Sequence, residues 1–215
     1  MKTLIFHMTN ESNKSLSYQH GWINAFRQDK RFKLTEINLA IFDNKLKKIK
    51  NFYKIKNFFL RKYDLIIFSG GNNSNVFKKK DKIRNSLNNK VYNFALRKKI
   101  KILGICHGAQ FLAKKYGFKL QKRKNHIGNH KVFLYINKMK LIKTVNSYHN
   151  DAIKIKKSKL VNIFGVALDN TVEAFHISKK KILGIMWHPE RYSQIKSFDK
   201  ELIKKFYATN SIISR

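Results

Sequence analysis

The chain has 215 residues, 43% of them hydrophobic, which suits one full α/β core and leaves no length for a second catalytic unit. Its 47 Lys+Arg against 12 Asp+Glu give a net charge of +35, but the basic residues run from Lys2 to Lys205 within a background of Asn, Ile and Phe that AT-rich codons favour. Anionic small substrates and nonspecific nucleic-acid binding are therefore expected, and a dedicated nucleic-acid arm is not. A single cysteine excludes an internal disulfide, no apolar run nears the ~18 residues of a membrane span, and Met1–Asn10 lacks a signal-peptide core, so a reducing cytoplasm without a membrane partner is expected.

In chain order, Thr3–Met8 reads as a first buried strand, followed by an amphipathic helix over Ser17–Gln28, a strand over Lys33–Leu39 and a helix over Leu46–Lys62. The strand Leu65–Phe68 runs into Ser69-Gly70-Gly71 and an Asn-rich turn at Asn72–Asn75. A helix over Lys79–Lys99 then leads to the strand Ile100–Ile105. The only cysteine, Cys106, follows it, with Gly104 two positions before and Gly108 two positions after. That spacing lets the backbone turn sharply and hold a nucleophile above the carboxyl edge of a sheet, with the helix Gly108–Tyr116 starting beneath the sulfur and favouring its thiolate form.

After about Lys119 closely spaced strands take over, at Val132–Ile136, Leu141–Val145, Leu160–Val166, Thr171–His176 and Ile182–Trp187, and a helix closes the pattern at Ser197–Tyr207. The early alternation of strands and helices predicts a mainly parallel sheet covered on both faces, with a β-rich second half. The last strand delivers His188-Pro189-Glu190. On an extended segment His188 and Glu190 point the same way, so the carboxylate can hold one ring nitrogen while the other faces a thiol.

His107 sits beside the nucleophile on a new helix and cannot easily turn its ring back to the sulfur, which leaves His188 as the expected base. His126 and His130 have the spacing of two metal ligands on a helix, but Gly128 and Asn129 argue against a helix there. They are read as a pocket-lining loop within Lys122–His130, and no metal or other cofactor is expected. His7, His20 and His176 are read as structural or surface residues.

Gly-Ile-Cys-His-Gly-Ala-Gln at 104–110, Trp-His-Pro-Glu at 187–190 and Ser-Gly-Gly at 69–71 resemble the class I glutamine amidotransferase superfamily, in the same order along the chain. Val145-Asn146-Ser147-Tyr148-His149 and Val172-Glu173-Ala174 are similar to its γ-glutamyl hydrolase branch, the peptidase C26-like proteins. The resemblance implies a flavodoxin-like three-layer α/β sandwich with Cys106, His188 and Glu190 as the catalytic triad. It further implies an oxyanion site built from the backbone N–H groups of Gly71 and His107, and substrate contacts from Gly70, Gln110, Asn146, Ser147, Tyr148 and His149. Ser69 stands where the family's oxyanion loop often has proline; because the donors are backbone groups, little harm is expected.

Three functions stay open at this point. One is a stand-alone hydrolase that frees glutamate from a γ-glutamyl amide through a thioester, its substrate an anionic or nucleotide-linked molecule such as γ-glutamyl-CDP-amidate in surface-polysaccharide biosynthesis. A second is a glutaminase subunit that supplies ammonia to a separate synthetase partner, since no synthetase domain is fused here. The third is a catalytically silent basic protein that binds polyanions.

Overall fold

A computed structural model describes residues 2–8, 12–26, 33–38, 42–43, 48–49, 62–71, 82–124 and 126–209. The strands are β1 (Lys2–Met8), β2 (Lys33–Asn38), β3 (Phe42–Asp43), β4 (Lys48–Ile49), β5 (Leu65–Gly71), β6 (Lys101–Ile105), β7 (Leu120–Lys122), β8 (Ile127–Ile136), β9 (Met139–Tyr148), β10 (Asp151–Lys154), β11 (Asn162–Ala167), β12 (Thr171–Ile177) and β13 (Ile182–Ile185). The helices are α1 (Ser12–Phe26), α2 (Lys82–Arg97), α3 (His107–Lys115) and α4 (Ser197–Thr209), with short 3₁₀ turns at Ser178–Lys180 and Pro189–Arg191. Of the helix expected over 46–62 only Lys48, Ile49 and Lys62 are described, and Lys48–Ile49 is instead the strand β4, paired antiparallel with Phe42–Asp43, because a partner strand supplies its backbone hydrogen bonds; the rest of 46–62 and the loop at 72–78 lie outside the described residues.

Among the described residues the main sheet has the order β2-β1-β5-β6-β13-β12-β11-β8-β9, with β10 and β7 attached beyond β12. Pairing is parallel from β2 through β13 and antiparallel from β13 onward. The sheet is therefore mixed, which corrects the expectation of a mainly parallel one. Parallel pairing needs a crossover that spans the sheet, and only the first half of the chain contains such helices.

The strand pleat sorts the core into two faces. Leu4, Phe6 and Met8 of β1, Ile66 and Phe68 of β5 and Ile102 of β6 pack with Val91, Phe94 and Leu112 of α2 and α3. On the opposite face Ile5, Ile67, Leu103 and Ile105 pack with Trp22 and Phe26 of α1 and Leu202, Ile203 and Phe206 of α4. Each large side chain buried this way contributes about 1.5–3 kcal/mol. The result is three layers, helix on sheet on helix, with the carboxyl ends of β5, β6 and β13 at one edge. Among the described residues no helix is long and apolar enough to cross a membrane.

Candidate active site

Cys106 sits between the last residue of β6 and the first of α3, with φ 47° and ψ −104°. That backbone is costly for a residue with a side chain and is held by its surroundings. The Cys106 amide donates to the Ile185 carbonyl at 2.8 Å, and the Gln110 amide to the Cys106 carbonyl at 2.9 Å. Gly108 lets α3 press on β5, since a Cβ there would lie 2.1 Å from the Phe68 carbonyl oxygen.

β6 and β13 run parallel in register, Ile105 opposite Ile185, so both strands release the chain at the same level. From β13 the chain passes through Met186 and Trp187 to His188, which is buried and 1% exposed. His188 Nδ1 lies 2.7 Å from Glu190 Oε1, and the Cys106 sulfur is close enough to act on the same ring. Burial works against charge on this imidazole, but the Glu190 carboxylate and the Cys106 sulfur outweigh it and raise its pKa to about 9. His188 is thus an imidazolium at neutral pH, wedged between a sulfur and a carboxylate.

Two further groups fix the turn. The Asn146 side chain donates from Nδ2 to the His188 carbonyl at 2.9 Å and accepts from the His188 amide at 2.8 Å. Trp187 donates from Nε1 to Asp199 Oδ1 at 2.7 Å, anchoring the neighbouring residue to α4. On the other side Gly70 backs the imidazole, because a Cβ there would stand 2.7 Å from His188 Cε1. The Ser69 hydroxyl accepts from the Met8 amide at 3.2 Å and donates to the Gly70 carbonyl at 2.7 Å, so hydrogen bonds tether this loop.

Tyr18 of α1 and Arg191 join the site without having been expected there. The Tyr18 ring stacks on His188 with centroids 6.0 Å apart, and Tyr148 meets the same imidazole edge-on at 5.4 Å. The Arg191 guanidinium lies 4.1 Å from the Tyr148 ring centroid and donates to the Tyr18 hydroxyl at 3.1 Å. Burial pushes the Tyr18 phenol up to about 12 against the pull of Arg191, so it stays protonated. The position of Arg191 directly after His-Pro-Glu was the available signal; Tyr18 left none, because its helix joins the site only through the fold.

The remaining named residues divide by the pleat of β9. Asn146 and Tyr148 face His188, whereas Ser147 and His149 face away. The Ser147 hydroxyl donates to the His126 carbonyl, and the His149 ring packs on His126 with centroids 4.9 Å apart. Gln110 donates from Nε2 to the Asp151 carbonyl at 2.7 Å, tying α3 to β10. Of the residues expected to contact substrate, Gln110, Asn146, Ser147 and His149 have side chains engaged with protein in this way. Gly70 and Tyr148 stand against the imidazole, and Gly71 follows at the end of β5.

His126 and His130 do not lie on a loop: His130 is within β8 and His126 at its foot. Both turn toward Glu173 of β12, which is fully buried, with His126 Nδ1 to Oε1 at 3.4 Å, His130 Nε2 to Oε2 at 3.3 Å and His149 Nε2 to Oε1 at 3.6 Å. Neither Glu173 oxygen, nor any of those three ring nitrogens, makes a hydrogen bond. A buried polar atom left so costs about 1–3 kcal/mol. The donor atoms of His126, His130 and Glu173 all lie within 4.8 Å of one another, the spacing of a possible metal-ligand set.

Comparison with known proteins fits this geometry. The family description "Glutamine amidotransferase class-I" matches residues 25–210. A γ-glutamyl-CDP-amidate hydrolase of Campylobacter jejuni is 38% identical over 148 residues, covering 66% of this chain and 69% of that protein. A protein of Schizosaccharomyces pombe named as a glutamine amidotransferase is 33% identical over 135 residues, covering 54% of this chain and 53% of that one. Among solved structures, a protein of Thermoplasma acidophilum described as a GMP synthase component superposes with a TM-score of 0.67 at 20% identity, covering 96% of this chain and 92% of that one. At that identity the likeness speaks to the fold alone.

Proposed function

The chain belongs to the class I glutamine amidotransferase family, and on that premise we propose that it is a cysteine-dependent hydrolase of a γ-glutamyl amide whose leaving group is anionic and nucleotide-linked. The observation that carries the chemistry is the buried Cys106–His188–Glu190 line, with the sulfur on a strained elbow and the imidazole between sulfur and carboxylate. γ-Glutamyl-CDP-amidate, named for the Campylobacter relative, is the proposed substrate. The net charge of +35 and the Arg191 guanidinium beside Tyr148 suit its phosphates. A reducing cytoplasm, where the lone thiol stays free, is the proposed location.

In this reading Cys106 Sγ attacks the γ-carbonyl carbon, and the carbonyl electrons move to oxygen as the C–S bond forms. The backbone N–H groups of Gly71 and His107 receive that oxyanion. Collapse breaks the C–N bond while His188 hands its proton to the departing nitrogen, leaving a glutamyl thioester. Water then adds to the thioester, its proton passing to His188. Loss of the thiolate yields the γ-carboxylic acid of glutamate, which releases its remaining proton to solvent as the carboxylate, and the freed thiolate again faces an imidazolium.

The leaving group is tested by measuring glutamate release from glutamine, γ-glutamyl amines, γ-glutamyl peptides and γ-glutamyl-CDP-amidate. The expected result is a kcat/KM on γ-glutamyl-CDP-amidate at least ~100-fold above glutamine. Preference for glutamine, or turnover only when a synthetase is added, would replace this reading with that of an ammonia supplier. Binding of polyanions with no turnover of any amide would leave only the silent basic protein.

The protonated imidazole also sets a pH profile. Because His188 must carry its proton, kcat/KM is expected to hold below about 9 and to fall above it. Glu190 is what raises that value, so in Glu190→Gln the alkaline limb moves toward acid, by roughly 1–2 pH units. A limb that stays in place would mean that Glu190 does not set the charge on His188.

A further inference from the structure

We propose that His126, His130 and Glu173, with His149 alongside, form a binding site for a divalent transition-metal ion of the zinc type, separate from the cysteine chemistry. Donors around a tetrahedral ion with bonds of ~2.0–2.2 Å lie about 3.3–3.5 Å apart. The three imidazole-to-carboxylate separations are 3.4, 3.3 and 3.6 Å. His126 and His149 face Oε1 and His130 faces Oε2, each at donor–donor spacing, and none of the three contacts has hydrogen-bond geometry: both Glu173 oxygens and the three facing nitrogens lack partners. A salt-bridged cluster would satisfy them directly, whereas an ion at the centre satisfies all at once.

The surroundings match those of a metal-held histidine. His126 presents Nδ1 inward, while its other nitrogen, Nε2, lies 3.1 Å from Asp169 Oδ2. Asp169 is held in turn by the Thr171 hydroxyl at 2.7 Å and by Arg123 at 3.1 Å. A carboxylate on the far nitrogen fixes the tautomer and the aim of a ligating ring. Two imidazoles and one carboxylate, with a third imidazole alongside, favour zinc and its neighbours over calcium or magnesium.

The ligands come from β8 with the residue at its foot and from the middle of β12, and His149 stands beside them just past the end of β9. The ion's role is therefore to fasten strands. His149 donates its amide to the His126 carbonyl, which also accepts from Ser147, so the ion would fix the back of the segment whose front carries Asn146 and Tyr148.

The test uses the full chain carrying Cys106→Ser, so that the thiol cannot be the ligand, made without a histidine tag, stripped with a chelator and titrated with Co²⁺. The expected result is the strong visible absorption of a tetrahedral cobalt site, saturating at one equivalent and displaced by Zn²⁺. Asp169→Asn, which leaves every ligand in place, is expected to weaken binding ~10–100-fold. Glu173→Gln and His130→Gln are expected to abolish the signal. Absorption of the hydrated ion only, uptake without saturation, or uptake indifferent to Asp169→Asn and His130→Gln would overturn the site.

Discussion

The expected result of Cys106→Ser is a fall in kcat of roughly 10⁴-fold or more, with KM and melting temperature close to those of the parent. Serine fills the same space in the elbow and keeps the backbone hydrogen bonds to Ile185 and Gln110, so the fold has no reason to change. What changes is the nucleophile. A serine hydroxyl is a far weaker acid than a thiol, so the anionic nucleophile beside a protonated His188, from which the proposed attack starts, does not form. Steady-state glutamate release read beside thermal melts separates the outcomes. Retained turnover would place the nucleophile elsewhere in the chain, and loss of turnover together with a lowered melting temperature would mean that the substitution acts through the fold.

Gly108→Ala is expected to damage both stability and rate. The new Cβ would stand 2.1 Å from the Phe68 carbonyl oxygen and 2.7 Å from its carbonyl carbon, which are backbone atoms inside β5 that no rotamer change can move. Helix α3 must therefore draw away from the sheet. Its first turn carries His107 next to Cys106, and β5 ends in Gly70 and Gly71, so the sulfur and the proposed oxyanion donors shift relative to one another. Overpacking of this kind costs about 3 kcal/mol, or about 6–12 °C in melting temperature for a chain of this size. A displacement near 1 Å at the reacting atoms lowers turnover by ~100-fold. A variant that melts and turns over like the parent would show that α3 is free to retreat and that the close approach is not needed.

Much of the catalytic edge was legible because its determinants are local. Gly104, Cys106 and Gly108 declare a strand-to-helix corner, and His188-Pro189-Glu190 a turn at a strand end. The rest depended on which strand faces which. β8 and β9 are ten residues each, yet only Val132–Ile136 and Leu141–Val145 read as apolar runs, since Asn129, His130 and Lys131 in β8 and Lys140 and Asn146 in β9 interrupt the apolar pattern. The spacing of His126 and His130 suggests helical neighbours, but residues four apart also share a face on an extended chain, and that is how they reach Glu173. The block 146–149 resembles a run of substrate contacts. In a strand, consecutive side chains alternate, so only Asn146 and Tyr148 turn to His188. The mixed pairing of the sheet was hidden for a related reason: antiparallel neighbours are chosen by partner strands far off in sequence.

The paired ends of β6 and β13 carry a lesson for changing this protein's specificity. Neighbouring strands stand ~4.8 Å apart wherever a sheet is made, and here Ile105 and Ile185 sit side by side just before the elbow and the histidine turn. The thiol-to-imidazole separation is thus inherited from the sheet's own repeat, a ruler that surface mutations cannot stretch. Groups at the mouth such as Arg191 and Tyr148 attach outside that ruler. Retargeting the enzyme to another departing amine can proceed by exchanging those positions as a module, with the reaction centre left in calibration.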